Sequence, residues 1–163
     1  MMGTFLSFYF YFFLKAKIQT SAFAEFTESF LQYLIKAELG LLEARVRYEN
    51  TLKKIDKFDV VLLSIGEDGH IASLFPNHIY PEDQMVVVEK NSPKLPMERI
   101  SMSYSRISTS ENILIIIVGK LKQKAVRLML DKKNLPINKI IINTGKVFIH
   151  SNAIGGKCNP PKN

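Results

Sequence analysis

Three apolar runs, each ended or interrupted by a glycine, constrain the fold more tightly than any other feature of the sequence. FDVVLLSIG occupies residues 58–66, NILIIIVG residues 112–119 and KIIINTGKVFIH residues 139–150. Continuous β-branched runs without polar alternation suit strands covered on both faces, as in a parallel sheet. The second run leads into QKAVRLML, which has a helical pattern, while the third reads as one kinked strand or two short ones around Gly145. VVVEK, residues 86–90, is a candidate short strand followed by a proline-rich connection through Pro93 and Pro96. Strand and helix alternate, so the expected fold class is α/β with a mainly parallel sheet flanked by helices.

The chain has 163 residues, enough for one domain with one substantial core. From Ala22 to about Ile55 the pattern is helical: Phe23, Phe26, Phe30, Leu31 and Leu34 recur at three- and four-residue steps, and Leu41, Leu42, Val46 and Leu52 continue after Gly40. All are expected in the core. Gly40 divides two helices in this reading, since glycine inside a helix costs about 1 kcal/mol relative to alanine. Residues 1–20 form an apolar N-terminal extension whose run FLSFYFYFFL is too short to span a bilayer as a helix. It is either a secretory signal ending near Ala22 and Ala24 or an extension of the start, and no Lys or Arg precedes it. Residues 21–153 are expected to form the α/β domain, and residues 154–163, which include GGKCNPPKN, a disordered tail.

Formal net charge is +7, but the basic residues are scattered from Lys15 to Lys162 and no nucleic-acid motif accompanies them. Such a charge is compatible with nucleic acid, an anionic membrane or a phosphorylated small molecule, but a scattered excess is more often solvated surface, and neither nucleic acid nor a membrane is expected. The lone Cys158 excludes an internal disulfide and a cysteine-based metal cluster, and a cytoplasmic location is expected. No metal site is expected.

Ligands gather beyond the carboxyl ends of strands in open parallel sheets. The loop after Leu63 lies at such an end and brings Asp68, Gly69 and His70 together. Gly66 and Gly69 allow a tight turn and close approach of backbone to a ligand. Histidine exchanges protons near neutrality, and a histidine general base contributes about 10²–10⁴ in rate. Asp68 is suited to orient the imidazole. The plainer alternative for the same residues is a glycine turn with an exposed His70 and Asp68 as a cap.

The longer string GEDGHIASLFP, residues 66–76, resembles the signature of the 6-phosphogluconolactonase and glucosamine-6-phosphate isomerase family, and its lactonase branch in particular. The resemblance continues through RYENTLKKIDKFDVVLL upstream and PMERIS and ILIIIVGKLKQKAV downstream, then more weakly through LPINKI, covering about Arg45 to Ala153. It implies a Rossmann-like sheet, no cofactor, and hydrolysis of a phosphorylated sugar lactone. By that resemblance His70 matches the base that activates water and Asp68 its acidic partner. Arg99 and Lys124 match substrate-binding residues, with Lys124 near a helix N-terminus that favours phosphate. Lys120 and Lys122 lie close enough in sequence to take the place of Lys124.

Two departures bear on activity. The related isomerases carry a catalytic glutamate five residues after the histidine, where this chain has Phe75, which favours hydrolysis over isomerisation. The lactonases also begin with a Ser-Gly-Gly phosphate loop and an Asp-Glu-Arg segment, and neither is found here, so the fold is expected to be incomplete relative to the family. His150 stands where the family's last loop suggests an acid. A non-catalytic remnant binding anions or a partner is the alternative expectation. Oligomeric state is not legible.

Overall fold

The computed structural model describes residues 13–14, 35–141 and 145–155. Its main sheet has four strands in the order β1 (Phe13–Leu14), β2 (Val60–Leu63), β5 (Asn112–Ile117) and β6 (Gly145–Ile149). β2, β5 and β6 are mutually parallel, while the two-residue β1 runs antiparallel on the edge of β2, with Phe13 opposite Val61. The parallel sheet expected from the three runs is present. The rest of the apolar N-terminal run, the helical pattern from Ala22 to Leu34 and the tail after Gly155 lie outside the described residues.

Burial alternates along the strands. Val61, Leu63, Ile113, Ile115 and Ile117 are buried, and each buried aliphatic side chain of this size contributes about 1.5–3 kcal/mol. On the opposite face Val60, Leu62 and Leu114 are half-buried, and Ile116 lies exposed beside its cross-strand partner Phe148. Among the described residues, full burial, expected on both faces from the unbroken runs, holds for one face only. Strand residues point alternately to opposite sides, and a run of isoleucines conceals which side is covered.

The third run needs a larger correction. Its first part is helical: α4 spans Pro136–Ile140, and β6 begins only at Gly145. Proline at the first helical position is preorganised for that start. Ile137 and Ile140, three apart, then face the core together. A Cβ on Gly145 would lie 2.7 Å from the Ile141 Cα, so the chain can re-enter the sheet this closely only at a glycine.

A separate antiparallel pair, β3 (Val86–Glu89) and β4 (Arg99–Met102), packs against α1 (Leu41–Leu52). Gly40 stands at φ +82° between a 3-10 turn, Ala37–Leu39, and α1, so it does separate two helical pieces. The core face of α1 is Ala44, Tyr48 and Leu52, whereas Leu42 and Val46 are 70% and 51% exposed. Spacing alone puts both in the core, but the buried stripe is the i, i+4 series through Ala44 and Tyr48.

The buried Arg106, in α2 (Tyr104–Ser108), closes the end of α1. Its Nη2 donates to the Ile55 carbonyl at 2.6 Å and its Nη1 to Asp56 at 2.7 Å, and its guanidinium lies 4.5 Å from the Phe58 ring centroid. A cation at a helix C-terminus satisfies carbonyls that the helix leaves open. This clasp fixes the approach to β2, and with it the loop that follows.

Candidate active site

Because β2 and β5 are parallel neighbours, the loops leaving their carboxyl ends emerge side by side. Ser64 Oγ donates to the Ile116 carbonyl at 2.7 Å and accepts from Lys122 Nζ at 2.8 Å. His150 closes the same end: its backbone N–H donates to Ile117, and its Nδ1 accepts from the Asn152 N–H at the start of α5 (Ser151–Ile154). His150 is thus a helix cap.

The loop after β2 folds back on itself. The Gly66 N–H donates to the His70 carbonyl at 2.7 Å and the Gly69 N–H to the Gly66 carbonyl at 3.1 Å. Gly69 has φ +92°, a conformation that favours glycine, and a Cβ there would meet Leu135 at 2.8 Å. At Gly66 a Cβ would run into the His70 ring and lie 2.8 Å from Asp68 Oδ1. The two glycines therefore have distinct tasks, Gly69 the turn and Gly66 the room for the imidazole.

His70 is only 4% exposed. Its Nδ1 lies 2.5 Å from Asp68 Oδ1, which also accepts the His70 backbone N–H at 3.3 Å. Asp68 Oδ2 is buried with no hydrogen-bond partner among the described residues. Burial is the largest influence on the imidazole and holds its pKa below the ordinary value. Asp68 opposes that shift, while the positive charges of Arg99 and Lys94 add to it. Burial pushes the Asp68 carboxyl up, but the charge and hydrogen bonds of His70 outweigh it, so the acid stays below its usual range. The pair is suited to a neutral imidazole with its proton on Nδ1, held by a carboxylate, which makes Nε2 the basic nitrogen.

The Phe75 ring, 1% exposed, packs on the imidazole with centroids 4.9 Å apart. The Arg99 guanidinium lies 5.4 Å from the Phe75 centroid. Arg99 is itself buried: Nε donates to the Pro96 carbonyl at 3.0 Å and Nη2 to the Lys94 carbonyl at 2.8 Å. It holds the β3–β4 connection in this arrangement, and its charge acts on His70.

Lys124, the second residue of α3 (Gln123–Leu130), lines a cleft of about 360 Å³ together with Glu67, Asp68, Asn77 and Lys133. Lys133 was not anticipated from the sequence. A larger hollow, about 510 Å³, lies at the start of α1 against Lys90 and Glu98 and includes none of the loop residues. The fold thus gathers Gly66, Asp68, Gly69 and His70 in one turn, packs Arg99 near Phe75, and puts Lys124 in the cleft that Asp68 also lines. Neither Lys120 nor Lys122 lines that cleft.

Three further residues border the turn without having been singled out by sequence. The Tyr80 hydroxyl accepts the Phe75 N–H at 2.9 Å and donates to Glu89 Oε2 at 2.6 Å, and His78 Nδ1 lies 2.6 Å from the same oxygen. Glu89 is buried, and a carboxylate inside the apolar run VVVE was the available signal that a buried partner exists.

The fold and site define an α/β protein with a parallel sheet and a buried histidine–aspartate pair at its carboxyl end, beside a cleft lined by Lys124 and Lys133. Residues 13–149 match the family described as glucosamine-6-phosphate isomerases/6-phosphogluconolactonase, and the chain belongs to that family. It is 39% identical over 82 residues to "Probable 6-phosphogluconolactonase 1" of Arabidopsis thaliana, covering 49% of this chain and 31% of that protein. It is 33% identical over 135 residues to "Probable 6-phosphogluconolactonase 4, chloroplastic" of Oryza sativa subsp. indica, covering 70% and 42%. Among solved structures, a 6-phosphogluconolactonase from Thermotoga maritima superposes with a TM-score of 0.63 at 26% identity, over 71% of this chain and 53% of that one. The chain thus spans about a third to two-fifths of these two curated relatives.

Proposed function

We propose that this chain hydrolyses 6-phospho-D-glucono-1,5-lactone to 6-phosphogluconate, with His70 as general base. The observation that carries the reading is the buried His70 imidazole bound through Nδ1 to Asp68, beside a cleft with Lys124 and Lys133 on its rim. In this mechanism Nε2 takes a proton from water as the water oxygen bonds to the lactone carbonyl carbon. The tetrahedral intermediate then collapses with cleavage of the bond to the ring oxygen, and the imidazolium returns its proton to that oxygen. Asp68 holds the ring orientation and stabilises the imidazolium that forms. The substrate phosphate is assigned to Lys124, with Lys133 adding positive charge, and Arg99 contributes positive potential at His70. Gly66 and Gly69 supply the close backbone approach to substrate. The reaction as written uses no cofactor and no metal, and its setting is proposed to be cytoplasmic.

The packing of Phe75 on His70 favours hydrolysis over isomerisation of an amino sugar. The position five residues after the histidine is filled by an aromatic ring rather than a second acid.

The test is lactone hydrolysis by the purified chain against the spontaneous rate, with His70→Ala alongside. The expected result is a rate above background that falls by about 10²–10⁴ in the variant. A folded sample with no rate above background would overturn the catalytic reading in favour of a non-catalytic anion-binding protein.

A further inference from the structure

We propose that Glu89, acting through the Tyr80 hydroxyl, is a positioning residue that holds Phe75 against the His70 imidazole and keeps water from that face of the ring. The inference deepens the reading of His70 as the base and rests on it for its catalytic meaning, although its geometry stands apart from any substrate.

Two backbone N–H groups in the segment between the histidine turn and β3 donate to side-chain hydroxyls. The Ser73 N–H donates to Ser101 Oγ at 3.1 Å, and the Phe75 N–H donates to the Tyr80 hydroxyl at 2.9 Å. The first anchor is neutral and comes from β4. The second ends on a buried carboxylate, because the same hydroxyl donates to Glu89 Oε2 at 2.6 Å. Hydrogen bonds to an ionised acceptor are roughly twice as strong as neutral ones. Glu89 is itself fixed by the Asn91 N–H at 2.6 Å on Oε1 and by His78 on Oε2. Burial alone would push the Glu89 carboxyl up, but the hydrogen bonds from Tyr80, Asn91 and His78 together hold it below its usual range. It therefore stays ionised at neutral pH.

The anchored residue is the one that touches the base. Phe75 stands 4.9 Å from the His70 centroid and 5.8 Å from that of His78, with the Arg99 guanidinium at 5.4 Å. The charged groups bearing on His70 are Asp68 in its own turn, Arg99 on β4 and Lys94 in the β3–β4 connection. Glu89 acts on the imidazole through the placement of Phe75. If the anchor loosens, the ring loses its cover and water reaches it.

The test is a pH titration of the full chain with ¹⁵N-labelled histidine, following the imidazole nitrogens; His70→Ala assigns the His70 signal among the three histidines. Tyr80→Phe removes the hydroxyl and keeps the ring, and is expected to raise the His70 midpoint by about half a unit toward the ordinary imidazole value. Tyr104→Phe removes a hydroxyl that has no part in the anchor, from a ring packed edge-on to Tyr80 at 6.2 Å, and is expected to leave the midpoint in place. Glu89→Gln decides the matter if Tyr80→Phe does not fold. Loss of a nearby negative charge alone would lower an imidazole midpoint, whereas loss of cover raises it, so an upward shift supports the anchor. A folded Tyr80→Phe or Glu89→Gln protein whose His70 midpoint is unmoved or lowered would overturn the proposal, even if its melting temperature falls. Since no substrate is used, that result is distinct from failure of the His70→Ala hydrolysis assay.

Discussion

The turn that carries His70 and the rim that carries Lys124 border the same cleft, yet they are built in opposite ways. Around His70 each group is fixed by another: Gly66 makes room for the ring, Asp68 holds Nδ1, Phe75 covers one face and Tyr80 holds Phe75. Lys124 is an exposed side chain on the first turn of α3. On the proposed reading His70 transfers a proton and Lys124 binds phosphate, and a proton-transfer group must keep its aim to well within an ångström. A phosphate-binding cation acts over a longer range on a mobile, fully charged group, and exposure does not impair it. The difference separates two kinds of mutational effect: errors in the turn should lower kcat, and errors on the rim should raise KM.

The sharpest way to break that contrast is Gly66→Ala. The added methyl must displace the imidazole or Asp68, and a misplacement of about 1 Å costs on the order of 10²-fold in rate. We expect kcat to fall by about that factor, with a stability loss of about 1–3 kcal/mol from overpacking, read by steady-state kinetics and denaturant unfolding. An unchanged kcat would mean that the turn tolerates motion and the contrast is false. A smaller effect is expected on the rim. Lys124→Ala should raise KM about tenfold, roughly the worth of one charge-assisted hydrogen bond, and leave kcat within about twofold. A kcat loss as large as that of Gly66→Ala would place Lys124 with the fixed machinery instead.

The same contrast explains what the sequence revealed. Asp68, Gly69 and His70 are contiguous, so their union in one turn follows from local chemistry, and the parallel strands follow from uninterrupted apolar runs. The start of the third run reads as strand because Ile140 and Ile141 suit either element, and the helix that takes up Lys139 and Ile140 begins outside the run, at Pro136. Leu42 and Val46 were misassigned because spacing identifies a face without saying which neighbouring stripe meets the core. The anchor of Phe75 was illegible for a different reason. Tyr80 and Glu89 meet only after the β3–β4 hairpin folds over the turn, and no period in the chain records that meeting. Arg99 was legible as a basic residue near the site, but its bonds to the carbonyls of Lys94 and Pro96 depend on the shape of a proline-rich loop.

The central claim is that the buried His70 is neutral at working pH and takes the proton from water. Its most direct measurement is the pH dependence of kcat/KM for lactone hydrolysis after subtraction of the spontaneous rate. Burial lowers the His70 pKa, so activity should hold steady through the ordinary imidazole range near 6.5. It should fall with a single-proton slope only at lower pH, and that limb should vanish in His70→Ala. An enzymatic limb that persists without His70, or one whose midpoint lies above the ordinary imidazole value, would contradict the account.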